Sequence, residues 1–129
     1  GIKGKTMAKT YFTKEHEWIA VEGDVGTVGI TTYAREQLGE VAYVELPDVG
    51  RTVKAHGDMA VVESSKAASD VYAPVSGEIV EANQTIVDDN AIIDADPEGA
   101  GWFVKIRLSD ATELEGLMDL GAYKTLIGE

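Results

Sequence analysis

One lysine stands apart from the other residues of this chain that can take part in chemistry. Lys66 lies between two short β-prone runs, residues 59–62 and 71–73, and the residues that join these runs are small and polar. This pattern predicts a hairpin with Lys66 at or near its tip. Neither neighbour, Ser65 or Ala67, is bulky, so we expect the amine to be accessible to another protein.

The surrounding charges indicate which chemistry this amine supports. Residues 55–104 hold ten Asp or Glu and no Lys or Arg other than Lys66. An amine becomes a nucleophile where burial or a neighbouring cation removes its proton, whereas the nearest charged residues here are Glu63 and Asp70. The sequence therefore predicts a protonated lysine that another enzyme acylates. The alternative is an ordinary exposed lysine, which is common on protein surfaces.

Other classes of site find little support in the sequence. His16 and His56 are far apart and fit no zinc-binding spacing, so we expect no metal site. The glycines at positions 23, 26 and 29 match neither a dinucleotide-binding nor a phosphate-binding loop, and the acidic residues 88–96 lack the Gly and Glu of an EF-hand. The chain contains no Cys, which excludes disulfides and thiol catalysis by the protein itself.

Length and charge narrow the class of protein further. The 129 residues include 11 Lys or Arg and 23 Asp or Glu, for a net charge of −12, which opposes binding to nucleic acid or to anionic lipid. We expect one domain, residues 7–129, preceded by a cloning remnant at residues 1–6. No run is apolar enough to span a membrane. The predicted location is the cytoplasm of a bacterium, or the mitochondrial matrix if a transit peptide was removed.

The elements that must position Lys66 are mainly β-strands. Short apolar runs between turn residues predict, besides the two strands of the hairpin, strands at residues 10–12, 18–21, 25–30, 40–46, 78–82 and 102–108. Thr31 or Thr32 is expected to cap a short helix that ends at Gly39. A weak repeat between residues 53–62 and 80–93 predicts two similar halves that form facing sheets.

The C-terminal part is expected to be a loop, a strand and a helix. Asp, Pro and Gly dominate residues 94–101, which predicts a loop. From Asp110 onwards apolar residues recur with the period of a helix that Gly121 ends. The residues on its apolar face are Ala111, Leu114, Leu117 and Met118. The predicted fold is mainly β, of the α+β class: a β-sandwich of short strands with a short helix in its N-terminal half and a helix at its C-terminus.

The residues around Lys66 resemble the lipoyl-lysine hairpin of the glycine cleavage system H proteins. The matching stretch, residues 62–78, reads VESSKAASDVYAPVSGE. Further matches follow in the order of the family: KEHEW at 14–18, GIT at 29–31, LGE at 38–40, VELP at 44–47 and GWFVKI at 101–106. The sequence departs from the family pattern at Ser65, where valine is usual, and at Gln37, where histidine is usual.

The resemblance implies a fold, a cofactor and a set of site residues. The fold is the barrel-sandwich hybrid of lipoyl-domain-like proteins, and the cofactor is lipoate, attached as an amide to Lys66. The matching residues through which the hairpin is recognised are Glu63, Ser64, Ala67 and Asp70. Glu17 matches an acid of the cleft that receives the lipoyl arm, and together with Asp70 it is expected to shelter the loaded arm.

The resemblance also implies partners. The protein is then a carrier without catalytic residues of its own, lipoylated by a lipoate ligase or lipoyltransferase. It takes an aminomethyl group from glycine decarboxylase (P protein) to aminomethyltransferase (T protein), and dihydrolipoyl dehydrogenase (L protein) reoxidises the arm. We expect no nucleic-acid or membrane partner.

Four alternatives stay open. The lipoyl domain of a 2-oxo acid dehydrogenase and a biotin carrier also present a lysine on a hairpin, but the former usually has Asp before the lysine and the latter has Met on both sides. A relay that stores lipoyl groups for transfer to other proteins would use the same lysine. An unmodified β-sandwich that only binds partners would use none, and the intact mass of the protein distinguishes it.

Overall fold

The computed structural model describes residues 8–129, so the predicted cloning remnant at residues 1–6 lies outside the described residues. The described residues form nine β-strands, four α-helices and one 3-10 helix. In chain order these are β1 Lys9–Phe12, β2 Glu17–Glu22, β3 Val25–Ile30, α1 Thr32–Leu38, β4 Val41–Glu45, β5 Thr52–Val53, β6 Asp58–Ser64, β7 Ala68–Tyr72, β8 Gly77–Ala82, α2 Gln84–Asp88, α3 Ala91–Ala95, β9 Val104–Leu108, the 3-10 helix Ala111–Gly116 and α4 Leu120–Leu126.

Two antiparallel sheets form a sandwich, as the sequence predicted. The larger sheet has the strand order β1-β2-β3-β9-β8-β5, and the smaller has the order β4-β6-β7. Both sheets keep open edges in this order, so the sandwich does not close into a barrel. Every predicted strand is present, and the additional short strand β5 pairs with β8. The prediction of a mainly β fold with helices is therefore confirmed.

The smaller sheet carries the lysine hairpin and is anchored in the core. Val44 on β4, Val62 on β6 and Val71 on β7 are buried against the larger sheet, while Glu63 and Asp70 on the same hairpin are exposed. Successive side chains of a strand point to opposite faces, which produces this division. Burying a valine contributes roughly 1.5–3 kcal/mol, so the base of the hairpin is firmly held while its tip reaches solvent.

Helix α1 begins and ends where the sequence predicted. The Thr31 side chain caps it by accepting a hydrogen bond from a main-chain amide of the first turn at 3.2 Å, and Gly39 ends it with φ 80° and ψ −161°. The Asp94 carboxylate binds one residue before Gly39 and one after it: it accepts hydrogen bonds from Arg35 Nε at 3.2 Å and from the Val41 amide at 3.3 Å. The C-terminal end of α1 is thus fixed against α3.

The second half of the weak repeat is helical where the first half is a strand. Residues 84–95 contain α2 and α3, so the prediction of two similar halves is wrong for this segment. Each helix is about one turn long and buries a single isoleucine, Ile86 or Ile93, and one turn is too short for a helical period to appear in the sequence. Helix α3 also takes the first two residues of the loop predicted at 94–101.

The predicted C-terminal helix is interrupted. Phe12 and Met118 exchange main-chain hydrogen bonds of 2.8 and 2.9 Å, which extends the chain between the 3-10 helix and α4. Asp119 then caps α4 by accepting a hydrogen bond from the Ala122 amide at 2.8 Å. Gly121 therefore lies inside α4 and does not end a helix. The sequence prediction was wrong here because a long-range strand contact overrides the local helical pattern.

Candidate functional site

Lys66 lies exposed in the turn that joins β6 to β7. Ser64 organises this turn: its amide donates a hydrogen bond to the Ala67 carbonyl at 2.9 Å. Its Oγ accepts hydrogen bonds from the amides of Lys66 at 3.1 Å and Ala67 at 3.3 Å. The predicted hairpin is thus present, and Ser64 and Ala67 are the residues that shape its tip.

Two carboxylates flank the tip. Glu63 on β6 pairs with Ala68, and Asp70 on β7 pairs with Val61; both acids are exposed. No ion pair among residues 8–129 includes Lys66, so the lysine does not neutralise either acid. An enzyme that approaches Lys66 therefore meets negative charge on both strands.

A cleft of about 400 Å³ opens beside the hairpin. It lies between α1, the turn that connects β1 to β2, and strand β7. Its lining residues are Glu15, His16, Glu17, Ile30, Tyr33, Ala34, Gln37, Leu38, Val62, Ser69, Asp70 and Val71. The volume falls within the roughly 300–1,000 Å³ typical of small-molecule sites. The structure thus brings Glu17 and Asp70, which are distant in sequence, to one cleft.

Glu17 is the buried acid of this cleft, with only 2% of its surface exposed. Its Oε1 accepts a hydrogen bond from the Thr13 hydroxyl at 2.5 Å, and its Oε2 accepts one from the Tyr72 amide at 3.1 Å. Burial raises the pKa of Glu17 to about 7, although these two hydrogen bonds oppose the shift and the charge of Glu15 adds to it. At neutral pH the carboxyl group is therefore close to half ionised.

His16 forms another part of the wall and is held by the C-terminal helix. Its Nδ1 lies 2.8 Å from the Tyr123 hydroxyl, which also contacts Thr31 Oγ1 at 2.7 Å. The ring of Tyr33 packs against the other side of His16, with ring centroids 4.6 Å apart. Burial lowers the pKa of His16, and the charge of Glu15 partly opposes this. The imidazole is thus a fixed and predominantly neutral part of the cleft at neutral pH.

The charges at the cleft favour a cationic guest. The charged side chains among the described residues that line it are Glu15, Glu17 and Asp70, all acidic. Apolar walls of Ile30 and Leu38 lower the local dielectric constant, which strengthens the attraction between a carboxylate and a nearby ammonium. The cleft therefore suits an apolar chain that ends in a positive charge.

The raised pKa of Glu17 predicts a pH-dependent stability. A folded-state pKa of about 7, against the ordinary value of 4.5, means that the folded protein binds the proton more tightly than the unfolded chain. Stability from this group is present below pH 4.5 and is lost as pH rises through 7. Between pH 5 and pH 8 we expect the free energy of unfolding to fall by about 2 to 3 kcal/mol from Glu17 alone.

Urea unfolding of the wild type and of Glu17→Gln at both pH values measures this loss. The difference in the free energy of unfolding between the two proteins should change by about 2 to 3 kcal/mol from pH 5 to pH 8, because Gln has no proton to lose. Glu22→Gln, at the exposed end of the same strand, removes the same formal charge and should leave the wild-type pH dependence unchanged. If the free energy of unfolding has the same pH dependence in the wild type and in Glu17→Gln, the raised pKa of Glu17 is contradicted.

Some residues of the cleft were not predicted from the sequence. Thr13 and the Tyr72 amide, which bind Glu17, come from the ends of β1 and β7, and only the fold brings them together. His16 and Tyr33 lie in segments that the sequence assigned to a strand boundary and to a helix, without a role at the site. The one available signal was the KEHEW match, which marked the segment but not its partners.

Within residues 8–129, no helix is long and apolar enough to cross a membrane. The same part of the chain holds no group of three or more His, Cys, Asp or Glu side chains placed to bind a metal ion.

Known proteins that resemble this chain agree with one another. A family model described as glycine cleavage H-protein matches residues 10–129. The glycine cleavage system H protein of Phenylobacterium zucineum is 58% identical over 116 residues, which cover 90% of this chain and 96% of that protein. The protein of the same name from Rhodospirillum rubrum is 54% identical over 124 residues, which cover 95% of this chain and 98% of that protein.

Comparison with solved structures leads to the same family. The crystal structure of a glycine cleavage system H protein from Mycobacterium marinum superposes with a TM-score of 0.86 at 40% identity. The superposition covers 94% of this chain and 98% of that chain.

Proposed function

Because this chain belongs to the glycine cleavage H-protein family, we propose that it carries its lipoyl group as an amide on Lys66 Nζ. Membership makes it an H protein of the glycine cleavage system, a lipoyl carrier. The observation that carries the assignment to Lys66 is its position at the exposed tip of a hairpin whose base is buried in the core. The rigid base of the hairpin holds the attachment point in place, while the flexible lipoyl arm can reach the active sites of partner enzymes.

The residues around Lys66 fit this cofactor. The cleft beside the hairpin has apolar walls for an acyl chain and three acids, of which Glu17 and Asp70 are the two that we assign to a cation. When bound, lipoate supplies a disulfide that accepts the aminomethyl group left after glycine loses CO2. The amine of that cargo is cationic at neutral pH, so a carboxylate is its natural partner. Glu17 and Asp70 therefore hold the cargo away from water between the two enzymes.

Attachment needs an enzyme that reads the hairpin. Lipoate ligase activates the lipoate carboxyl group with ATP, whereas a lipoyltransferase receives it already activated. In both cases the new amide bond forms as Lys66 Nζ loses a proton and the activating group leaves. Glu63 and Asp70 present charge on both sides of the lysine, while Ser64 and Ala67 fix the turn on which it stands. These four residues are the recognition surface that we assign to the ligase.

The partners of the loaded protein follow from its role as a carrier. They are glycine decarboxylase, aminomethyltransferase and dihydrolipoyl dehydrogenase, which perform the chemistry while this protein presents the arm. Tethering gives the arm an effective concentration of the order of millimolar at a docked partner. The net charge of −12 favours partners with neutral or basic docking surfaces. In line with the bacterial relatives, we place the protein in the cytoplasm.

Reconstitution tests the whole function. Lipoylated protein added to glycine decarboxylase should support exchange of the glycine carboxyl group with labelled CO2, and the unmodified protein should not. A lipoyl relay to other proteins is the competing function. Lipoylated protein that supports no exchange but donates its lipoyl group to a 2-oxo acid dehydrogenase would favour the relay.

The lipoyl group should contribute little to the stability of the folded protein. Lys66 is exposed, and changes at exposed positions usually alter stability by less than about 0.5 kcal/mol. Unmodified and lipoylated protein should therefore unfold at nearly the same urea concentration. A difference of several kcal/mol would mean that the empty arm is permanently packed, which is incompatible with a carrier whose arm reaches its partners.

A further inference from the structure

The turn at the tip of the lysine hairpin lacks the usual main-chain geometry. The Ser64 amide donates a hydrogen bond to the Ala67 carbonyl at 2.9 Å, which leaves Ser65 and Lys66 as the two residues of the turn. Two-residue hairpin turns favour positive φ at one or both of these positions, because only then does the turn match the twist of the strands. Neither Ser65 nor Lys66 has a positive φ. The main chain alone therefore does not favour this turn.

The side chain of Ser64 supplies the hydrogen bonds that the main chain does not. Its Oγ accepts from the amides of Lys66 at 3.1 Å and Ala67 at 3.3 Å, and in the described part of the chain neither amide has a main-chain acceptor. The same hydroxyl donates to the Ala67 carbonyl at 3.3 Å. Serine side chains close turns in this way. One hydroxyl thus holds both amides at the tip.

The neighbouring serine has no such role. Ser65 is exposed, whereas Ser64 is half-buried at the end of β6. Within residues 8–129, the side-chain hydrogen bonds of this turn all involve Ser64, and none involves the Ser65 hydroxyl. Two serines next to each other in the chain therefore differ in whether they hold the turn, which makes Ser65 a matched control for Ser64.

We propose, given lipoyl attachment to Lys66 as above, that Ser64 is a positioning residue for that reaction. Lipoate ligase forms a lipoyl-adenylate from lipoate and ATP. The deprotonated Lys66 Nζ then bonds to the lipoyl carbonyl carbon, the bond from that carbon to AMP breaks, AMP leaves, and the nitrogen loses a second proton. The Ser64 hydroxyl touches none of these atoms. It keeps the Lys66 main chain in one orientation, which reduces the entropy lost when Nζ is brought to the acyl carbon.

The first test measures the order of the tip in the unmodified protein. Backbone ¹⁵N relaxation should give the Lys66 and Ala67 amides order parameters near ~0.85 in the wild type, and in Ser64→Ala values that fall toward ~0.6 or below. Ser65→Ala should keep the wild-type values. Flexible amides in the wild type overturn the proposal. Rigid amides in Ser64→Ala overturn it too, because the ligase could then be affected only by direct contact with the hydroxyl.

The second test measures transfer in a single turnover from lipoyl-adenylate preformed on lipoate ligase. We expect the maximal rate to fall about five- to tenfold in Ser64→Ala, the size expected for one lost hydrogen bond. The half-saturating protein concentration should not change, since Glu63 and Asp70 still meet the ligase. Ser64→Thr, which keeps the hydroxyl, should restore most of the rate, and Ser65→Ala should match the wild type.

Three results of this test contradict a positioning role. They are a wild-type rate in Ser64→Ala, an equal loss in Ser64→Ala and Ser65→Ala, and a change confined to the half-saturating concentration, which would mark a binding contact. Failure of Ser64→Thr to restore the rate also overturns the role of the hydroxyl.

Failure of the proposed function is a separate result. If intact mass shows no lipoyl group on Lys66 of the wild type, the attachment to this lysine is wrong, and the role of Ser64 in it falls as well. If the wild type is lipoylated on Lys66 and Ser64→Ala accepts lipoate at the same rate, only the role of Ser64 is wrong.

Discussion

Lys66→Arg should abolish lipoylation of this protein. Incubation with lipoate ligase, lipoate and ATP is expected to add one lipoyl group to the wild type and none to the variant. Arg keeps the positive charge, but its guanidinium is not deprotonated in proteins and forms no lipoyl amide. Intact-mass spectrometry measures the result directly. In the wild type the net charge, −12 before modification, becomes one unit more negative because an ammonium is replaced by an amide.

Lys54→Arg is the matched control. Lys54 is an exposed lysine in the turn before β6, and its replacement should leave lipoylation at the wild-type level. Lys105 is a second lysine that should stay unmodified. Its Nζ lies 3.6 Å from Glu81 Oε1 and 5.3 Å from the centroid of the Trp102 ring. Lipoate found on Lys54 or Lys105 by peptide mass spectrometry would show that the ligase does not read the hairpin.

The strands and the first helix were predictable because their signals are local. Alternating apolar residues and the turn residues between them define each strand, and a sheet buries one face of that pattern. Both ends of helix α1 could be predicted from single residues, because Thr31 caps its N-terminus and Gly39 ends it. The hairpin that bears Lys66 followed from the same kind of signal, namely small residues between two apolar runs.

The parts that sequence reasoning missed depend on contacts between distant segments. The exchange of hydrogen bonds between Phe12 and Met118 interrupts a stretch whose apolar spacing is helical. Helices α2 and α3 are each about one turn long, and their stability comes from burying Ile86 and Ile93 rather than from helix propensity. No local pattern records either effect.

The candidate site also has one part that local sequence predicts and one part that depends on contacts between distant segments. Lys66 and the residues that shape its turn are contiguous in sequence, so their grouping could be predicted from the residues alone. Glu17 could be named only through the family resemblance, and its burial could not be named at all. The burial arises where Thr13 and the Tyr72 amide enclose the carboxylate. Those partners are far apart in the sequence. The burial raises the pKa of Glu17 to about 7, although the two hydrogen bonds oppose this shift.

Replacing Glu17 or Asp70 should shorten the life of the loaded arm. Glu17→Gln and Asp70→Asn keep the shape of each side chain and remove its charge. A hydrogen bond to a charged group contributes roughly 1.5–3 kcal/mol, so losing one should raise the undocked fraction of the arm by about tenfold or more. The rate at which isolated, loaded protein releases ammonia and formaldehyde measures that fraction, because hydrolysis needs water at the cargo.

Glu22→Gln is the control for the loss of one negative charge, since Glu22 is exposed at the far end of β2 from Glu17. Its release rate should equal that of the wild type. The double variant Glu17→Gln with Asp70→Asn should release the cargo faster than either single variant. If the single and double variants all decay at the wild-type rate, these two acids do not shelter the cargo.

The pH dependence separates Glu17 from Asp70. With a pKa of about 7 in the empty cleft, Glu17 is mostly protonated at pH 6 and mostly ionised at pH 8, so the carboxylate available to a docking ammonium increases about tenfold over this range. Cargo release from the wild type, taken relative to Glu17→Gln at the same pH, should therefore be slowest at pH 8 and approach equality near pH 6. Asp70→Asn should keep this dependence, because Glu17 remains to titrate. A ratio of wild type to Glu17→Gln that does not change between pH 6 and pH 8 would mean that the arm docks without using the buried carboxylate.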